Sequence, residues 1–148
     1  MNLKLQHILR APIQPKCASM ALLFLRLVVG IAFIYHGWGK IQNPFGWMPA
    51  GAPVPGFFQG LAAFAEFGGG IALVLGLLTH IASIGLAITM LVATYMHAFV
   101  LHDPFVNMTG GSSFEPALGY FAIACLFFVV GPGGYSLDHK IFGDRPAK

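Results

Sequence analysis

Residues 19–41 read SMALLFLRLVVGIAFIYHGWGKI, an apolar run broken only by Arg26, His36 and Lys40. An α-helix rises about 1.5 Å per residue, so a run of this length matches the roughly 30 Å hydrocarbon thickness of a bilayer. A membrane strand would be about half as long and would alternate in polarity. Three further runs of the same kind follow, at about 57–78, 80–101 and 114–130. Lipid offers no partners to an open sheet edge, so helices are expected at all four.

The segments between the runs read as connections. Residues 43–56, NPFGWMPAGAPVPG, are rich in Pro and Gly and carry Trp47, which suits the membrane interface. Residues 78–80 leave room only for a very tight turn. Residues 102–113 are polar, and Gly131-Pro132-Gly133-Gly134 ends the last run. The composition agrees: 57% of the 148 residues are hydrophobic and 9% charged, against about 25% charged in a soluble domain. The expectation is one all-α domain over residues 1–148, a bundle of four transmembrane helices.

Charge sets the expected orientation. Lys4, Arg10 and Lys16 precede the first run, and Lys140, Arg145 and Lys148 follow the last. The first connection has no Lys or Arg after Lys40, and the third has none. The positive-inside rule then puts both termini in the cytoplasm and the chain in the cytoplasmic (inner) membrane as a multi-pass protein. The first run is longer than a signal-peptide core, so no cleaved leader is expected. There is no dense basic face to bind nucleic acid. Cys17 and Cys125 form no C-x-x-C pair, which speaks against a disulfide framework or a dithiol relay.

Ionisable residues inside membrane helices are expensive and mark function or specific pairing. Arg26, His36 and Lys40 lie in the first helix, Glu66 in the second and His97 in the third, while Glu115 opens the fourth. Arg26, Gly30, Phe33, Gly37 and Lys40 share one helical stripe, and small residues on it allow close helix approach. Gly68, Ala72 and Gly76 form a similar row in the second helix, and Gly85, Thr89, Ala93 and His97 one in the third. Counting depth from the run ends brings Arg26 and Glu66 within side-chain reach, so a buried Arg26–Glu66 pair is expected. No H-x-x-x-H or E-x-x-H spacing is present, and no metal site is expected.

The stretches LRLVVGIAFIYHGWGKI (25–41), AEFGGGIALVLGLLTHIAS (65–83) and GPGGYSLD (131–138), with the four-run layout, resemble the DoxX family. The resemblance implies a four-helix membrane bundle. The family is named for a subunit of an archaeal thiosulfate:quinone oxidoreductase, and several members are linked to redox stress or to partner enzymes.

Three functions remain open on these residues. In the first, His36, Lys40, His97, Tyr35, Trp38 and Tyr95, with Glu66 and Glu115, form an outward-opening polar cavity for a quinone or similar small ligand. His or Lys would donate to a carbonyl and a carboxylate would relay a proton. The chain would then be a subunit or accessory of a membrane redox system, such as a quinone-linked oxidoreductase, with a redox partner protein or a second copy of itself beside it in the bilayer. In the second, it is a non-catalytic assembly or anchor subunit whose charges lock the fold. In the third, it is a small-solute transporter.

Overall fold

The computed structural model describes residues 14–143, and among these no strand occurs. Helix α1 spans Lys16–Ile41, α2 Gly56–Leu75 and α3 Thr79–Tyr95, which continues as a π-helical turn over Met96–Val100. Helix α4 spans Glu115–Val130 and a short α5 spans Leu137–Phe142. Helices α1, α2 and α3 with its continuation are long and apolar enough to cross a membrane; α4, at 16 residues, is shorter. It measures about 24 Å. Lys4, Arg10, Arg145 and Lys148, which carry much of the expected charge asymmetry, lie outside the described residues.

Helix α1 packs on α2, α2 on α3, and α3 on α4. The core is thin: Leu22, Val29 and Phe33 of α1 meet Leu73 of α2, Leu86 and Met90 of α3, and Ala124 and Phe127 of α4. The opposite faces expose Phe24, Phe57, Phe64, Ile88, Leu91 and Val129. In water a continuous apolar exterior of this kind would drive aggregation. In lipid it is the solvated surface, and the backbone groups of the helix interiors are bonded within their own segment.

The α2–α3 corner is longer than the run lengths suggest, because α2 stops three residues early, at Leu75. Gly76 takes a left-handed φ of 62° and donates to the Leu73 carbonyl, while the Leu77 N–H donates to Ala72. These two bonds satisfy the last carbonyls of the helix. Leu78 is also left-handed, with φ 51°, and lets α3 begin one residue later, at Thr79. The short α5 was not anticipated, although its start signal is local: the Ser136 hydroxyl caps it by accepting from the His139 N–H at 3.1 Å.

Glycine sets the α1–α2 distance. A Cβ on Gly30 would lie 2.8 Å from the Gly70 carbonyl oxygen, and one on Gly37 2.8 Å from the Phe67 Cα. The helical period puts a small row of α2 on Gly68, Ala72 and Gly76. Instead Gly70 faces α1 and Gly69 faces Leu86 of α3, whereas Gly68 has open space around it. Backbone cannot yield as a flexible side chain can, so Gly37→Ala should destabilise the fold by about 2 kcal/mol. Gly68→Ala should be neutral or stabilise slightly, because alanine loses less entropy in a helix. Denaturant titration of the two variants checks the contrast.

Candidate functional site

Polar side chains gather at two places along α1. Near its start, Arg26 is fully buried. One terminal nitrogen donates to the Leu73 carbonyl at the end of α2, at 3.0 Å, and the other to the Tyr135 carbonyl of the loop before α5. A cation at the C-terminal end of a helix also meets the negative pole of its dipole. The Asp138 carboxylate, 1% exposed, accepts from the Leu78 and Thr79 N–H groups at 2.7 and 2.8 Å, capping α3, and the Asp138 N–H donates to the Gly76 carbonyl at 2.8 Å. The Ser19 hydroxyl accepts from the Gly134 N–H at 3.0 Å. The segment GPGGYSLD thus ties the start of α1 to the α2–α3 corner, and its charges are consumed by backbone.

The second gathering is a cavity of about 200 Å³ near the other end of α1, among all four long helices. Phe33, His36 and Lys40 of α1 line it with Glu66 of α2, Met90, Ala93 and His97 of α3, Ser113, and Pro116, Ala117 and Tyr120 of α4. Lys40 Nζ donates to both Glu66 carboxylate oxygens, at 2.6 and 2.7 Å. Glu66 is 2% exposed and Lys40 26%, so the carboxylate is sunk in the bundle while the ammonium opens on the cavity. The Trp47 ring lies 4.5 Å from Lys40 Nζ, a distance at which the ring face attracts the charge. Trp47 is pinned there by its indole N–H, which donates to the Gln59 carbonyl at 3.0 Å, and the buried Gln59 side chain bonds Met48 and Val54 of the same connection.

His36 stands at the exposed side of the cavity, edge-on to Tyr120 at 6.1 Å, and Tyr120 also packs on Phe33 at 5.0 Å. His97 Nδ1 lies 2.7 Å from Asp103 Oδ2. The cavity therefore holds a buried carboxylate, an ammonium with one donor beyond the two that Glu66 uses, two imidazoles and a phenol. Among the described residues no three His, Cys, Asp or Glu side chains converge as metal ligands would.

Several sequence expectations need correction. The expected Arg26–Glu66 pair does not form: Glu66 pairs with Lys40, and Arg26 binds carbonyls. The cause is register. Gly37 packs against Phe67 and Gly30 against Gly70 in antiparallel helices, which sets Glu66 level with about residue 38, some 12 residues or roughly 18 Å from Arg26. Depth counted from run ends could not resolve that offset. Tyr35, Trp38 and Tyr95, expected as aromatic walls, point away from the cavity; Tyr35 is 78% exposed, and Trp38 and Tyr95 lie against Phe67 and Phe99. Tyr35 and Trp38 fall across the helix from the Phe33–Gly37 stripe. Glu115 is exposed and does not line the cavity, although Pro116 and Ala117 beside it do. His36, Lys40, Glu66 and His97 do come together. Tyr120, Trp47, Gln59 and Asp138 have no site role on sequence alone, and Asp103 is expected only at the outer rim of the polar group with Lys40, Glu115 and His102, not as the partner of His97. Tyr120 belongs to an apolar run, and the others owe their roles to loops whose paths have no periodicity to read.

The DoxX family model matches residues 21–103, which include Arg26, the cavity residues of α1 to α3, and Asp103. An inner membrane protein, YqjF, of Escherichia coli is 34% identical over 129 residues, covering 85% of this chain and 95% of that protein. An uncharacterised protein of Haemophilus influenzae is 32% identical over 82% of this chain and 90% of its own length. An uncharacterised membrane protein of Mycobacterium tuberculosis is 30% identical over 79% and 78%. No solved structure matches the chain. With its membrane-length helices and these relatives, this chain is a multi-pass inner-membrane protein and belongs to the DoxX family.

Proposed function

We propose that this protein binds a single-ring, oxygen-bearing redox ligand of the quinone class in the Lys40–Glu66 cavity, as a membrane subunit or accessory of a redox system. The observation that carries the reading is a buried carboxylate holding an ammonium at the wall of a ring-sized cavity shared with two imidazoles. A volume of about 200 Å³ suits a head group rather than a whole drug-sized ligand, for which roughly 300 Å³ or more is usual. A quinone, when bound, would carry two electrons and two protons between this site and a partner redox protein. Lys40 has a donor left for a ligand oxygen, and His36 and Tyr120 can hydrogen-bond at the mouth. Phe33, Met90 and Ala93 supply the apolar wall. Glu66 holds Lys40 in place instead of relaying a proton, since both its oxygens are occupied.

In this reading all four long helices cross the bilayer and both termini are cytoplasmic. The support is the clustering of Lys and Arg at the two chain ends and their absence from residues 42–55 and 102–113. The cavity, at the far end of α1 from the amino terminus, then opens to the outer face.

Titration with decylubiquinone in nanodiscs tests the reading. In a Trp38→Phe background Trp47 is the sole tryptophan, and its fluorescence should quench saturably. His36→Ala should weaken binding about tenfold, the worth of one hydrogen bond and its ring contact. Quenching that fails to saturate, with no quinone detected by mass spectrometry of protein extracted without detergent, would refute it.

A further inference from the structure

The chain folds back on His97 in an unusual way. Residues Met96–Val100 are wound as a π turn, with the Leu101 N–H donating to the Met96 carbonyl at 2.9 Å. Such turns are rare and occur often at functional sites. His102 follows with φ 56°, a left-handed conformation that costs any residue with a Cβ. The reversal it makes returns Asp103 beneath His97, where the Asp103 N–H donates to the His97 carbonyl at 2.8 Å and the carboxylate meets the ring nitrogen Nδ1 at 2.7 Å. Asp103 is thus pinned at backbone and side chain to the residue six positions before it. Strain that holds one carboxylate on one imidazole points to a role for that imidazole.

The chemistry of the contact fixes the ring. An ionised carboxylate can only accept, so Nδ1 carries a proton, and in the neutral imidazole Nε2 is then left with the lone pair. His97 lines the cavity with Lys40, Glu66, His36 and Tyr120. Lys40 offers a donor there. His97, held this way, offers an acceptor. A ring carbonyl can only accept and leaves Nε2 unsatisfied, whereas a ring hydroxyl both donates to Nε2 and accepts from Lys40.

We propose that Asp103 is a positioning residue that fixes the His97 tautomer, so that the cavity selects the hydroxyl-bearing, reduced form of its ring ligand over the carbonyl-bearing, oxidised form. This rests on the reading of the cavity as a quinone-class site. A site built to receive a hydroxyl proton discriminates strongly against the analogue lacking it, because its own polar group is then left unpaired.

The test is calorimetric binding of ubiquinol-1 and ubiquinone-1 to the protein in nanodiscs under anaerobic conditions, with nitrogen-15 NMR of labelled histidines assigned by His97→Gln. The wild type should bind the quinol about tenfold more tightly, with His97 Nε2 unprotonated. Asp103→Ala should bring the ratio to about one by weakening quinol binding while leaving quinone binding little changed. Equal affinities in the wild type, a ratio unmoved by Asp103→Ala, or a proton on Nε2 would overturn the inference and leave the quinone-class reading standing. Should Asp103→Ala not fold, the wild-type ratio and the wild-type ring spectrum decide alone. If neither compound binds the wild type, the quinone-class reading fails and this inference with it.

Discussion

Arg26→Ala should remove most of the folded protein from the membrane, with a loss of about 3–5 kcal/mol in the fraction that can be purified. The size follows from what the guanidinium does. It is fully buried and joins α1 to the end of α2 and to the loop before α5 through two carbonyls, those of Leu73 and Tyr135. Truncation strands the Tyr135 carbonyl, takes one of two donors from the Leu73 carbonyl and opens a void where a fully buried side chain stood. Arg26→Lys should recover only part of the loss. An ammonium keeps the charge, but it lacks the planar fork that reaches two acceptors on different elements. Swapping the charges, Arg26→Glu with Glu66→Arg, should give the summed losses of the single variants and no rescue, because the two residues belong to different networks. Membrane accumulation and denaturation midpoints of the four proteins would show this, and partial rescue by the swap would contradict the observed pairing.

The second large effect concerns Lys40 and Glu66. Glu66→Gln should destabilise the fold by about 2 kcal/mol, less than the roughly 3–5 kcal/mol of a fully buried pair broken on one side, because the remaining ammonium is partly open to the cavity. Lys40→Met should cost more, since it leaves a carboxylate that is 2% exposed without its donors. Removing both charges together should restore much of the stability, as buried pairs replaced by apolar or neutral groups are often tolerated. The double variant separates two functions. If the pair only locks helix register, the double variant should retain whatever the wild type does. If the pair shapes a ligand site, the double variant should fold and fail to bind decylubiquinone. The Arg26 and Asp138 networks show that this chain does use charge for architecture, with both terminal nitrogens of Arg26 and both carboxylate oxygens of Asp138 bonded to backbone. Lys40 and His97 differ in facing a cavity that backbone does not fill.

The candidate site was only partly legible in the residues. His36, Lys40, Glu66 and His97 could be named because ionisable groups are costly in lipid and stand out in an apolar run. That Arg26, Gly30, Phe33 and Gly37 share a buried face could be read from the helical period, and all four are buried. The aromatic walls were misread because Tyr35, Trp38 and Tyr95 suit both a ligand and a lipid interface, and composition does not separate the two. The Asp103–His97 contact escaped because it depends on a π turn and a left-handed His102, neither of which has a residue signature.

By itself the sequence determined that this chain is a bundle of apolar helices in a membrane. Bilayer thickness is fixed, backbone in lipid must bond within its own helix, and both constraints act on contiguous residues. Only the tertiary structure decided which charges meet. The α1–α2 register is set where the Gly30 and Gly37 backbone touches Gly70 and Phe67, and a shift of a few residues along that contact would give Glu66 a different cation. Pair identity depends on the relative position of two helices, and no periodicity within either one encodes it.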